Sequence, residues 1–153
     1  MPKIEEIQSY RNPFPTTDVI VEYNLNGVEG LVLVDRKNVP HGKALPGGFH
    51  DLGLSAGQNA AKEVLEETGL EVIIEDENHP FCTRSRPDRD IRGHMITVVY
   101  VARGYGTIKA GSDAMNAAHY SIADVRELIA NNELAFDHGS IIEEYLGGLN
   151  ERI

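Results

Sequence analysis

Apolar residues recur along this chain in two rhythms, one suited to strands and one to helices. Residues 17–24, TDVIVEYN, and 28–36, VEGLVLVDR, are rich in β-branched and apolar types and predict two strands. Between them Asn26-Gly27 predicts a tight hairpin turn, because both residues tolerate positive φ. Pro13 and Pro15 predict an extended lead-in. Residues 37–54, KNVPHGKALPGGFHDLGL, are punctuated by Gly42, Gly47, Gly48 and Gly53 and read as loop. A helix then begins, with Ser55 as N-cap, Gln58 completing a capping box and Gly69 as the stop. LEVIIE at 70–75 predicts the next strand, and a further one begins within 79–84. HMITVVYVA at 94–102 has the strongest strand pattern, and a short strand follows at 116–120. Ser121 with Asp124 caps a second helix to about Ala130, and Asp137 or Ser140 opens a C-terminal helix through IIEEYL. Strands interleaved with a few helices predict an α/β (α+β) domain, a mixed sheet with helices on both faces.

Length and charge narrow the classes of partner. The 153 residues have the size of one domain, expected to span the whole chain. Lys and Arg number 14 against 24 Asp and Glu, a formal charge of -10, which argues against a basic nucleic-acid surface. Small anionic substrates stay open, because a few arginines or a bound metal reverse the local sign. No apolar run approaches the roughly 20 residues of a membrane span. The leading residues MPKIEEIQSYRNPF lack an apolar signal core, so no secretion by that route is expected. The single Cys82 cannot form an internal disulfide; it reads as a packed apolar residue and fits a reducing, cytoplasmic setting.

The helix after Ser55 carries the chemistry. At about 100° per residue, with Glu63 at zero, Glu66 falls near 300° and Glu67 near 40°. Three carboxylates therefore share one face, while Ala60, Ala61, Val64, Leu65 and Thr68 fall on the other, toward a sheet. Like charges at these spacings repel mildly. Two readings follow: a solvated acidic face, or a site where a divalent cation turns the repulsion into binding. Mg²⁺ prefers oxygen donors and often joins carboxylates to substrate phosphates.

The stretch GGFHDLGLSAGQNAAKEVLEETGL resembles the signature of the Nudix hydrolase family. That signature is Gly, five residues, Glu, seven residues, Arg-Glu, an apolar residue, any residue, Glu-Glu, any residue, Gly, apolar. Gly48, Glu63, Val64, Glu66, Glu67, Gly69 and Leu70 match with the spacing kept. Leu54 stands for the first Glu and Lys62 for the Arg, two residues that commonly pair in the family. Losing both together leaves neither as an unpaired charge, and Asp51 is a partial replacement for the loop carboxylate. The resemblance implies a Nudix-like α/β/α sandwich. It also implies metal ligands at Glu63, Glu66 and Glu67 with a backbone carbonyl at Gly48 or its neighbour Gly47, Mg²⁺ with Mn²⁺ as the alternative, and a homodimer. The implied reaction is hydrolysis of a nucleoside diphosphate linked to another group.

Outside the box, RNPFPTTDVIVEY, RPDRDIRGHMITVVYVA and Ala135-Phe136-Asp137-His138 resemble the ADP-ribose pyrophosphatase branch, which implies cleavage of ADP-ribose to AMP and ribose 5-phosphate. Another nucleotide sugar, a dinucleotide, an oxidised nucleotide, or a domain that only senses such ligands are the alternatives. Arg84, Arg86, Arg89 and Arg92 supply planar donors suited to phosphate, or else pair with Asp88 and Asp90 on a solvated loop. His94 is a substrate contact or a hydrogen-bonded structural histidine; His41 and His50 are further histidines of the glycine-rich stretch. With no Trp in the chain, Tyr10, Phe14 or Phe49 would stack on a base, or simply pack. The general base is Asp113, in a place where related enzymes hold a loop carboxylate, or Glu67 or Glu66; a turn-capping role is the other reading of Asp113.

Overall fold

The structure is a computed structural model and describes residues 3–7, 10–109 and 116–151. Helix α1 (Ile4–Ile7) is a single turn. Strands β1 (Phe14–Leu25) and β2 (Val28–Arg36) form an antiparallel hairpin, with Val21 opposite Val32 and Leu25 opposite Val28. Asn26 and Gly27 turn it with φ of 52° and 87°, the two left-handed residues a type I′ turn demands.

Past Val21 and Val32 the two strands part. β1 continues by pairing β4 (Gly47–Phe49) along Thr16–Asp18, and β2 pairs β3 (Gly42–Ala44) along Val34–Arg36. The other edge of β1 runs parallel to β7 (Met95–Tyr105), from Phe14 opposite Met95 to Glu22 opposite Arg103. β5 (Glu71–Val72) and β6 (Cys82–Arg84) pair the far edge of β7, and β8 (Ala117–Ser121) pairs the far edge of β2. The sheet is mixed, with one parallel pair at its centre.

Period-two alternation distributes the core to both faces. Val19, Val21 and Val32 pack with Ala60 and Val64 of α2 (Ala56–Thr68). Ile20, Leu31, Leu33 and Val99 pack with Val125 of α3 (Ile122–Ala130) and with Ile141, Ile142 and Leu146 of α4 (His138–Glu151). The expected sandwich of helices around a mixed sheet is the observed one.

The caps follow the sequence reading. Both bonds of the capping box form at Ser55–Gln58 and at Ser121–Asp124, and Gly69 ends α2 at φ 75°. Asp137, rather than Ser140, opens α4. Three expectations change. The segment 37–54 is not all loop, since it contributes β3 and β4 to the gap between β1 and β2. The strand expected over 70–75 shrinks to Glu71–Val72, because the chain then leaves the sheet edge. There Ile74 packs beside α2 and Glu77 accepts the Gly57 N–H at 2.9 Å. Leu65, placed on the sheet side of the helix, is 50% exposed, at the edge of the apolar stripe.

Candidate active site

Where β1 and β2 part, the ladder of backbone bonds between them stops, and a cleft of about 390 Å³ opens. Glu67 of α2 and His138 at the start of α4 both line it, although these helices pack on opposite faces of the sheet. The gap lets both layers contribute side chains to one place.

Gly47 and Gly48 form the lip beneath α2. A Cβ on Gly47 would lie 2.2 Å from the Thr17 carbonyl oxygen, and one on Gly48 would lie 2.7 Å from Oε2 of Glu63. Only glycine lets backbone and carboxylate approach this closely. Asn59, fully buried, locks the arrangement. Its Nδ2 donates to Thr17 Oγ1 at 2.8 Å and to the Phe49 carbonyl at 3.3 Å, while its Oδ1 accepts the Asp51 N–H at 2.9 Å.

The three carboxylates differ. Glu67 turns into the cleft and accepts the Gly47 N–H at 3.1 Å. Burial pushes its carboxyl up to about 8; the charges of Glu63 and Asp18 add to this, and the Gly47 N–H opposes it. Glu63, with its side chain 13% exposed, is also raised by burial, against the pull of Lys62. Glu66 is exposed and turns toward Lys62. The Lys62 ammonium stands 3.0 Å from Asp51, 3.0 Å from Glu63 and 3.3 Å from Glu66. The loop-to-helix brace is therefore present, made by Lys62 and Asp51 rather than by position 54.

Whether these residues suit a metal follows from the donors. Among the described residues, no three acidic, histidine or cysteine side chains converge as a ready-made cage. Lys62 draws Glu63 and Glu66 to itself, and Glu67 faces Gly47. The donors are nonetheless all oxygen, two of the carboxylates are desolvated, and Lys62 pairs with Glu63 and Glu66 but not with Glu67. A hard cation such as Mg²⁺ fits that set.

The floor is a buried polar chain. Asp18 accepts from Thr97 Oγ1 at 2.6 Å, and Nε2 of His138 lies 3.7 Å away. Nδ1 of His138 accepts the Leu45 N–H at 3.0 Å, which leaves the imidazole proton on Nε2, toward Asp18. Burial raises the Asp18 carboxyl, but His138, Thr97 and Arg89 outweigh it and hold it below the usual carboxylate range. The remaining wall is cationic and aromatic. Arg36 and Arg92 stack on Phe136, and Arg92 also lies over Phe49. A carboxylate wall facing a guanidinium wall can hold a ligand carrying several negative charges, with a cation on one side of it.

A NUDIX domain model matches residues 13–145. The chain belongs to the NUDIX domain family. The NUDIX chain is 34% identical over 146 residues to an ADP-ribose pyrophosphatase of Methanocaldococcus jannaschii, covering 94% of itself and 79% of that relative. Among solved structures it resembles the NUDIX domain of Shewanella oneidensis NrtR complexed with ADP ribose. The TM-score there is 0.78 at 25% identity, covering 97% of this chain and 99% of that one. It also shares the fold of a bifunctional NMN adenylyltransferase/ADP ribose pyrophosphatase from Francisella tularensis, complexed with AMP and a manganese ion. That likeness has a TM-score of 0.71 at 24% identity and covers 94% of this chain but 45% of the larger protein.

Within this NUDIX domain, Gly48, Glu67 and Arg92 line the cleft, and Glu63 lies against Gly48 at its lip. Phe14 packs edge-on against Phe49, with ring centroids 6.2 Å apart. Tyr10 is exposed. Arg84 pairs with Glu144, Arg86 pairs with Asp88 at 2.8 Å, and Nε2 of His94 meets the Ser85 carbonyl at 2.9 Å; none of the three lines the cleft. Asp113 lies outside the described residues. Sequence reasoning passed over Asp18, Arg36, Phe136 and His138 as site residues. An acid directly before the apolar run Val19-Ile20-Val21 was the available signal for Asp18, and nothing in the pattern marked Arg36.

Proposed function

We propose that the protein is a divalent-metal-dependent pyrophosphohydrolase that cleaves ADP-ribose to AMP and ribose 5-phosphate. The observation that carries this reading is the placement of Glu67, desolvated and raised to about 8, beside Gly47 and Gly48 in a cleft whose opposite wall is arginine and phenylalanine. The Methanocaldococcus relative, at 34% identity, supports the choice of substrate.

In this reading Glu63, Glu66 and Glu67, with the Gly48 carbonyl, hold Mg²⁺ or Mn²⁺. When bound, the cation neutralises phosphate oxygens and lowers the proton affinity of water. The protein's own groups do the rest. Glu67, or Glu66 beside it, takes the proton of the attacking water, the general-base role that a carboxylate within reach of that water can fill. Asp113 is the alternative base. Arg92 faces the anionic part of the substrate, and the Phe49–Phe14 pair borders its flat part. The proposal also takes the protein to be a homodimer in a reducing, cytoplasmic setting, which its single cysteine suits. Among the described residues no helix is long and apolar enough to cross a membrane.

The deciding experiment incubates the protein with a panel of nucleotides, Mg²⁺ and Mn²⁺, and identifies products. Metal-dependent AMP from ADP-ribose, at the highest kcat/KM of the panel, is expected. No hydrolysis of any member would defeat the proposal. A second reading is a domain that binds ADP-ribose without turnover. Lys62 favours it, because its ammonium already holds Glu63 and Glu66. Tight calorimetric binding with no AMP released would select it.

A further inference from the structure

The turn that leads from β3 into the glycine lip is held by a segment nearly a hundred residues further along the chain. Lys43 of β3 bonds the stretch that precedes α4. Its N–H goes to the Glu133 carbonyl at 2.9 Å, and its C=O takes the Ala135 N–H at 2.8 Å. Alternate residues of an extended strand present their backbone groups to the same edge, so the Leu45 N–H comes next in that ladder. The chain opposite cannot offer it a backbone acceptor, because Phe136 turns away at φ 55° and α4 begins at His138. The imidazole of His138 reaches back instead. Its Nδ1 accepts the Leu45 N–H at 3.0 Å, and the histidine is 2% exposed. The next two residues are pinned as well. The Pro46 carbonyl accepts the Val19 N–H at 2.9 Å, and the Gly47 N–H goes to Glu67 at 3.1 Å.

We propose that His138 is a positioning residue of the cleft: by holding the Leu45 N–H it fixes the turn Leu45-Pro46-Gly47, and through the Gly47 N–H it aims Glu67. This deepens the pyrophosphohydrolase reading above and rests on it. An apolar side chain at 138 would fill the same space at the start of α4, but it would leave the buried Leu45 N–H unpaired. The other imidazole nitrogen does less. Nε2 lies 3.7 Å from Asp18, beyond hydrogen-bond reach, and that carboxylate takes the Thr97 hydroxyl at 2.6 Å. The consequence for catalysis is geometric. The lip has no slack, since a Cβ on Gly47 would lie 2.3 Å from Oδ1 of Asp18 and one on Gly48 would lie 2.7 Å from Glu63. A shift that starts at Leu45 is therefore passed on to Glu67 rather than absorbed. A catalytic group displaced by about 1 Å loses on the order of 10²-fold in rate.

The test compares wild type with His138→Asn, His138→Gln and Leu146→Ala. Asn places its Oδ1 where Nδ1 stands, whereas the polar atoms of Gln end near Nε2 and leave Leu45 without an acceptor. With ADP-ribose and Mg²⁺, His138→Gln is expected to lower kcat roughly 10- to 100-fold with KM within about threefold, and His138→Asn to recover kcat to within about fivefold of wild type. Leu146→Ala empties the same core from the same helix, and is expected to lower the urea midpoint while keeping kcat within about twofold. Amide exchange followed by NMR in EDTA reads the turn without turnover. The Leu45 and Gly47 amides are expected to exchange at least about 10-fold faster in His138→Gln than in wild type, with Val21 of the closed ladder unchanged. The proposal is overturned if His138→Gln keeps kcat, if His138→Asn falls as far as His138→Gln, or if Leu146→Ala falls equally. It is also overturned if Gly47 stays protected when Leu45 does not, or if the wild-type Leu45 amide exchanges as fast as exposed loop amides. Should the wild type hydrolyse no nucleotide, the pyrophosphohydrolase reading fails, while the exchange data still decide whether His138 holds the lip.

Discussion

The two ends of the β1–β2 hairpin are made of similar strand and do opposite things. At the Asn26–Gly27 end the strands pair residue by residue from Val21–Val32 to Leu25–Val28, and the neighbouring side chains fill both cores. At the other end the strands part, β3 and β4 slip between them, and Asp18, Arg36 and Glu67 gather in the opening. A continuous ladder satisfies its own backbone and asks only for apolar cover. An interrupted one needs polar partners, such as the Asn59 bonds to Thr17 and to the Phe49 carbonyl. Binding chemistry collects where the sheet is open, and stability where it is closed.

The sharpest way to break this contrast is to change one group at each end. Glu67→Gln removes a carboxylate from the open end and is expected to lower kcat by a factor on the order of 10²–10⁴. The urea midpoint of the metal-free protein should not fall, because burial opposes ionisation of this carboxyl and a neutral amide avoids that cost. A variant that keeps kcat would end the assignment of Glu67. Leu31→Ala, buried in the closed ladder opposite Glu22, is expected to cost about 2–5 kcal/mol in urea unfolding while leaving KM within about twofold. Loss of substrate affinity without loss of stability would erase the division between the two ends.

Acidity probes the cleft wall. Burial would raise the Asp90 carboxyl, but the bidentate Arg92 and its N–H outweigh it, so the folded value lies below the unfolded one. A lowered carboxyl stabilises the fold above the unfolded value, about 3.9, and loses that stabilisation as the pH falls through the folded value. Metal-free protein is therefore expected to lose stability below about pH 4. Asp90→Asn should be about 1–2 kcal/mol less stable at pH 7 and show a shallower decline. Identical slopes in a pH series of unfolding curves would refute this. The smallest effect belongs to Asp51→Asn, whose exposed pair with Lys62 is worth at most about 1 kcal/mol to the fold. Its mark should be on Mg²⁺ titrations instead. Freed from Asp51, Lys62 stays on Glu63 and Glu66, and metal affinity is expected to drop several-fold. Adding Lys62→Gln should reverse the drop.

The elements that could be read in the chain are those set by near neighbours. Ser55 with Gln58, Gly69 and Asn26-Gly27 act over a few residues, and each appears in the structure as its local chemistry requires. The common face of Glu63, Glu66 and Glu67 is likewise a matter of helix geometry. What could not be read was how those carboxylates are spent. Glu66 turns to Lys62 and Glu67 to Gly47, because Asp51 and the glycine lip come from a different segment. The arginine-rich loop looked like the ligand wall, yet Asp88, Asp90, Asp137 and Glu144 take up its four side chains, two of them from α4 and its cap.

By itself, then, the sequence determined the order of elements, their caps, the family signature and a helix bearing three acids. These depend on periodicity and on bonds a few residues long. Tertiary structure alone decided that β1 and β2 separate, that His138 and Asp18 share a buried contact across 120 residues of chain, and that Arg36 stacks on Phe136 within reach of the charges of Asp90, Glu67 and Asp18. Charge balance is a property of everything folded around a group, and no window of sequence contains it.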